Sequence, residues 1–146
     1  MPVSKAIRHL LRIRQIGEDN ARAELESAVA ELNARETALM RNMARARDGR
    51  RLVAESVASA NQDNRIVGMN EQVIAAQHAN SLQRRVDDAR GRAEALRQEY
   101  LVARTNRRQA EVLIENAAAQ DELDLRRHAQ QDLDTWHRDR SRRGGK

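Results

Sequence analysis

The chain is 146 residues long, carries a formal charge of +5 and is 34% charged, with no Phe and only one Tyr, one Trp and one Pro. Aromatic side chains supply much of the buried area of compact globular cores, so here Leu, Val, Ile and Ala must do the burying, which suits the narrow seam between paired helices. The lack of cysteine excludes disulfide frameworks, thiolate catalysis and cysteine-based metal sites. No apolar run approaches the roughly 20 residues that span a bilayer, so the expectation is a soluble, intracellular chain without direct membrane insertion.

Almost every positive residue is Arg, with Lys5 and Lys146 the only lysines. Basic and acidic residues are interleaved, and the spacing of Glu18 to Arg22, Glu31 to Arg35, Asp88 to Arg92 and Glu122 to Arg126 places opposite charges one helical turn apart. Such charges read as solvated helix faces.

In chain order, Met1 to Ile16 is basic and amphipathic with no acid before Glu18. It has the look of an organelle presequence, but the apolar pattern runs on without a cleavage-like break. Ser4 is suited to cap a helix starting at Lys5. In the first arm Leu11, Leu25, Leu32, Leu39, Ala46, Val53, Ala60 and Val67 share one seven-residue frame, interrupted only by Glu18. Ala21, Ala28, Val29, Met43 and Val57 widen the stripe. Gly17 and Gly49 fall inside this pattern, and Asp48-Gly49 is a second candidate for a helix break.

Between Ser59 and Ser81 polar amides displace the heptads. Gly68 can supply the left-handed conformation that ends a helix, and Asn70, followed by Glu71, can cap the next one. The second arm is more regular: Leu82, Val86, Ala89, Ala93, Leu96, Tyr100, Ala103, Arg107, Ala110, Ile114 and Ala117 alternate by four and three. The frame then slips by four to Ala118, Leu125, Ala129 and Trp136, the pattern of a stutter. Beyond Arg138 the chain is Arg-rich and ends in Gly-Gly-Lys.

These features predict an all-α fold, an antiparallel two-helix coiled-coil hairpin forming a single domain. Its expected parts are a first helix over about 4–66, a turn over about 67–70 near Gly68, a second helix over about 70–138 and a frayed basic tail over 139–146. A reversal centred on Gly68 would pair Val53 with Leu82, Ala46 with Ala89, Leu39 with Leu96 and Leu32 with Ala103. A parallel dimer of one continuous helix satisfies the same heptads.

Chemistry-bearing constellations are missing from the sequence. His9, His78, His128 and His137 are far apart, without metal-ligand spacing; the carboxylate pairs Asp87-Asp88 and Asp132/Asp134 have no predicted cleft to desolvate them. No phosphate-binding glycine loop or nucleophile elbow occurs. The expectation is a chain that is not an enzyme and needs no cofactor. The cluster Arg138, Arg140, Arg142, Arg143 and Lys146 follows the coil, contains Asp139 and lacks aromatic companions, which leaves only weak phosphate binding by the tail and no specific nucleic acid. Two features point to protein partners. Trp136 lies past the point where the first arm runs out, so it is either an interaction hot spot or a plug folded over Ile7 or Leu10. Met40, Met43, Ile66, Val67, Met69, Val73 and Ile74 make the apolar stripe near the turn broader than two helices require.

Three stretches resemble the stalk-protein family of type III export systems, the FliJ type of flagella and the YscO type of injectisomes. They are LLRIRQIGEDNARAELESAVAELNARETAL, similar to the family's opening helix; NRIVGMNEQVIAAQ, similar to its turn region; and QQDLDTWHRDR, in which Leu133, Asp134, Trp136 and Arg138 match an apolar-Asp-x-aromatic group followed by Arg. The near absence of aromatics departs from the flagellar branch. The resemblance implies a cytoplasmic stalk at the base of a membrane-embedded secretion apparatus. It would bind the export ATPase hexamer through its paired termini and the cytoplasmic domain of the export gate near its turn, with export chaperones as further partners. Mapped by position, the ATPase-facing candidates are Trp136, Arg138 and Arg140, and the gate-facing candidates are Leu39, Met43, Val73 and Gln77. The alternative reading is a coiled-coil scaffold or chaperone-like adaptor.

Overall fold

The structure, a computed structural model, describes residues 4–144. Two helices, α1 (Lys5–Ser59) and α2 (Gln62–Gly144), pack against each other as an all-α helical hairpin, with no strand among the described residues. The helix start is as the sequence suggests. Ser4 caps α1, its Oγ accepting the Ile7 N–H at 3.3 Å. The presequence-like segment from Met1 lies partly outside the described residues; from Lys5 onward it is helix.

The reversal lies at residues 60–61, not at 67–70. Ala60 takes the left-handed conformation, with φ of 57°. The Asn61 N–H then returns to the Ser56 carbonyl at 3.2 Å, which is the six-to-one hydrogen bond of a Schellman helix end. Asn61 also opens α2. Its Oδ1 accepts the Asn64 N–H at 3.3 Å, its carbonyl receives the Arg65 N–H, and Asp63 sets an acid in the positive first turn. Two residues thus end one helix and cap the next. The usual steric cost of this conformation for a residue with a Cβ, about 1 kcal/mol, falls on Ala60.

Gly68 is a helix-interior residue with a different task. Gly68 and Gly49 are both buried and lie backbone to backbone. A Cβ added at Gly49 would come 2.7 Å from the Gly68 carbonyl oxygen, and one at Gly68 would come 2.6 Å from the Gly49 oxygen. The two glycines that read as candidate breaks are the place where the helices can touch only because neither carries a side chain. The Asp48-Gly49 break does not occur.

This contact shows the register, which differs from the expected one. Asn42 donates from Nδ2 to the Ala75 carbonyl at 2.9 Å, Arg45 meets Glu71 through two hydrogen bonds, one of them 3.0 Å, and Glu36 meets Arg90 at 3.4 Å. The pairing of Ala46 with Ala89 is replaced by packing of Ala46 near Gln72, Ala75 and Ala76. Moving the turn eight residues toward the N-terminus moves every partner with it.

The chain divides into two compact units. In the unit Ala21–Tyr100 the core is a seam of small residues: Ala28, Ala75, Ala89 and Ala93 are buried, and Val86, at 1% exposure, is the fully buried larger side chain. Alanine seams bury little area each but allow close helix approach. At the far end of this unit the Arg22 guanidinium lies over the Tyr100 ring, 5.8 Å from its centroid. The other unit joins the residues before Ala21 to those after Tyr100. Ala110 is buried there, with Leu11, Ala103, Ile114 and Ala117 half-buried around the same seam. No helix among the described residues is long and apolar enough to cross a membrane.

Candidate protein-interaction surfaces

Within the unit formed by the chain ends, the two charged residues that stand in the heptad frames meet each other. Glu18, 4% exposed, interrupts the first-arm seam; Arg107 occupies a seam position of the second; Arg107 Nε reaches Glu18 and Nη1 reaches Glu111. Burial opposes the Arg107 charge, but the hydrogen bonds and charges of Glu111 and Glu18 outweigh it and hold its pKa above the ordinary arginine value. Polar seam residues of this kind fix register more than they add stability.

Helix α2 continues well beyond this pair. The half-buried pattern proceeds from Ala117 to Asp121 and Asp124, so the frame does not slip as a stutter would require. From Leu125 to Gly144 every residue is exposed. The expected frayed tail is helical through Gly144, and its last two residues, Gly145 and Lys146, lie outside the described residues. The helical form rests on contacts along its own axis. Arg126 donates to Glu122 at 2.7 Å, Gln130 donates to Asp134 at 3.2 Å, and Arg142 and Arg143 complement the negative helix end.

Trp136 sits on this segment at 53% exposure. The Arg140 guanidinium lies over its indole, 5.1 Å from the centroid, and His137 meets it edge-on at 5.1 Å. These ring neighbours are one residue and one turn away on the same helix. The indole does not fold over Ile7 or Leu10, so the plug arrangement is not the one adopted. Arg138 is exposed beside it. The structure therefore brings Trp136 and Arg140 together, adds His137, which the sequence offers only as an isolated histidine, and leaves Leu125 and Leu133 uncovered alongside at 67% and 53% exposure.

In the unit Ala21–Tyr100 the four turn-proximal candidates differ in exposure. Leu39 is half-buried in the seam, whereas Met43 and Val73 are exposed at 62% and 55%, and Gln77 is exposed. Met43 lines two open grooves, one with Met40, Ala44 and Arg47, the other with Asn42, Gln72, Ala75 and Ala79. Val73 and Gln77 are not among the residues lining either groove. Met40, Ile66, Val67 and Met69 are also at least half exposed, so all of the apolar excess read from the sequence except the half-buried Ile74 is on the surface. Among the described residues no group of three His, Cys, Asp or Glu side chains could hold a metal ion. Comparison with protein-family models, curated proteins and solved structures returns no match.

Proposed function

We propose that the chain is a non-enzymatic stalk and coupling protein of a type III export apparatus, acting at the cytoplasmic base of that membrane-embedded machine. The observation that carries the reading is the exposed end of α2, where the Leu133-Asp134-x-Trp136-x-Arg138 group that resembles the stalk family stands uncovered on a helix with Arg140 stacked on the indole. An aromatic with flanking arginines suits an acidic protein pore. The ring supplies area that can be desolvated on docking, and the guanidinium groups supply charge-assisted hydrogen bonds. The hairpin topology agrees with a stalk, and the exposed Met43 and Val73 would serve as the gate-side surface, with chaperones as further partners.

Mixing the chain with a cognate export ATPase should raise hexamer content and hydrolysis. Trp136→Ala and the Arg138→Glu/Arg140→Glu double variant should each lower that stimulation about tenfold or more while circular dichroism stays unchanged, since hot-spot losses of that size are common. No stimulation by the parent chain would overturn the proposal. Stimulation that survives both variants would remove the assigned ATPase-side surface. The second reading, an adaptor, draws on the exposed methionines around Met40 and Met43. It predicts capture of partner helices that Met43→Glu abolishes and Trp136→Ala leaves intact.

A further inference from the structure

On α2, Ala118, Leu125, Ala129, Leu133 and Trp136 recur at helical spacing, so they share one face, and all five are exposed. Among the described residues nothing covers that stripe from Leu125 onward. Charge along the same stretch is divided. Residues 121–134 carry five acids against two arginines, whereas residues 135–144 carry four arginines against one acid.

We propose that this face is a self-association site: two copies of the chain pair through their C-terminal α2 segments, antiparallel, as an isologous two-fold dimer. The charge division decides both the occupant and the direction. A parallel pair would set arginine end against arginine end and acid against acid. An antiparallel pair lays residues 135–144 of each copy along residues 117–126 of the other, so the arginines run beside Asp121, Glu122 and Asp124 on both sides, as a self-complementary patch must. Placing the indole of Trp136 against Leu125 of the second copy centres the dyad between Gln130 and Gln131 and puts Ala129 beside Asp132 across it. Trp136 and Leu125 then cover each other twice, once on each side of the axis. The pairing draws on no part of the secretion reading and can be tested with the purified chain alone.

Sedimentation equilibrium of the full chain at low salt should show a monomer–dimer equilibrium that weakens in high salt. Trp136→Ala should raise the dimer Kd about 30-fold or more, with helicity preserved because the residue is exposed. A chain bearing Arg138→Glu/Arg140→Glu should lose self-association, as should one bearing Glu122→Arg/Asp124→Arg, and their mixture should regain it. Since the chain has no cysteine, single introduced cysteines report direction. With a short bismaleimide, Ala129→Cys, next to the dyad, should cross-link to itself. Ser141→Cys, whose copies would stand roughly 30 Å apart at 1.5 Å per residue, should not. A chain that is monomeric throughout the micromolar range at low salt, a dimer insensitive to Trp136→Ala, or efficient cross-linking at Ser141 as well as Ala129 would overturn the proposal.

Discussion

The stretch of α2 from Glu71 to Ala117 and the stretch from Leu125 to Gly144 belong to the same helix and have similar amphipathic spacing, yet only the first has buried positions. In the first, inward positions pack against α1: Ala75 accepts from Asn42, Ala89 and Ala93 lie in an alanine seam around the fully buried Val86, and Arg107 finds Glu18. In the second, Leu125, Leu133 and Trp136 are the larger apolar groups, and they are bare. Amphipathic spacing therefore reports a capacity to pack. Whether a partner comes from the same chain depends on how far the other helix runs, and α1, at 55 residues against 83 for α2, is the shorter.

The comparison is broken most severely at the charged pair. Arg107→Leu leaves the Glu18 carboxylate in the seam with its main cation gone, and the thermal midpoint should fall by on the order of 10 °C. Exchange of the pair, Glu18→Arg with Arg107→Glu, should recover part of the loss. Arg138→Leu on the exposed segment, measured in high salt where the C-terminal segments are unpaired, should move the midpoint by about 1 °C or less, the size expected of surface substitutions. Thermal melts by circular dichroism separate these outcomes, and a large loss at Arg138 would mean that its segment is packed in solution.

That pair also explains how much could be read in advance. The second-arm frame from Leu82 to Ala117 is buried or half-buried at every position named, and the first-arm frame holds from Leu11 to Val53. The register differs from the expected one because the sequence offers glycine as the turn residue. Ala60 adopts the left-handed conformation instead, and glycine is used where two backbones touch. One signal could have corrected this. Two heptad seams, each with a charged residue in an otherwise apolar frame, are best satisfied when those residues meet, and bringing Glu18 to Arg107 places the reversal near residue 62 rather than 68. The sequence places Trp136 past the end of the first arm but leaves a hot spot and an end plug equally open. Its ring partners were not legible, because they depend on the segment remaining helical through Gly144, where the glycine and arginine content suggested fraying.

A smaller effect distinguishes glycines inside and outside helix contacts. Gly49→Ala must push apart two backbones in contact, and it should destabilise by about 2 kcal/mol despite the better helix propensity of alanine. Gly91 is exposed with nothing within 4 Å of an added Cβ, so Gly91→Ala should stabilise by about 1 kcal/mol. Urea titrations of the two variants should move the midpoint in opposite directions. Movement in the same direction would contradict the glycine contact.

The smallest effect belongs to Arg45 and Glu71, which join the helices close to the reversal and are both partly exposed. The hydrogen bond from Arg45 lowers the Glu71 pKa, burial opposes this, and the Arg45 charge adds to the lowering. A carboxylate whose folded pKa is depressed stabilises the fold above its unfolded value, here the ordinary 4.5, and loses that contribution as pH falls through the folded value. Glu71→Gln should therefore lower the midpoint by a degree or two at neutral pH, and the gap to the parent should close in acid below the ordinary carboxylate range. High salt should shrink the same gap at neutral pH. Glu122→Gln is the matching substitution outside the region where the two helices pair; because its Arg126 partner lies on the same exposed helix, it should leave the midpoint unchanged at either pH in high salt, where the C-terminal segments are unpaired. A gap at Glu71 that persists unaltered into acid would mean that the carboxylate contributes by shape and neutral hydrogen bonding, and that the reversal is held by the Ser56–Asn61 cap and the Gly49–Gly68 contact alone.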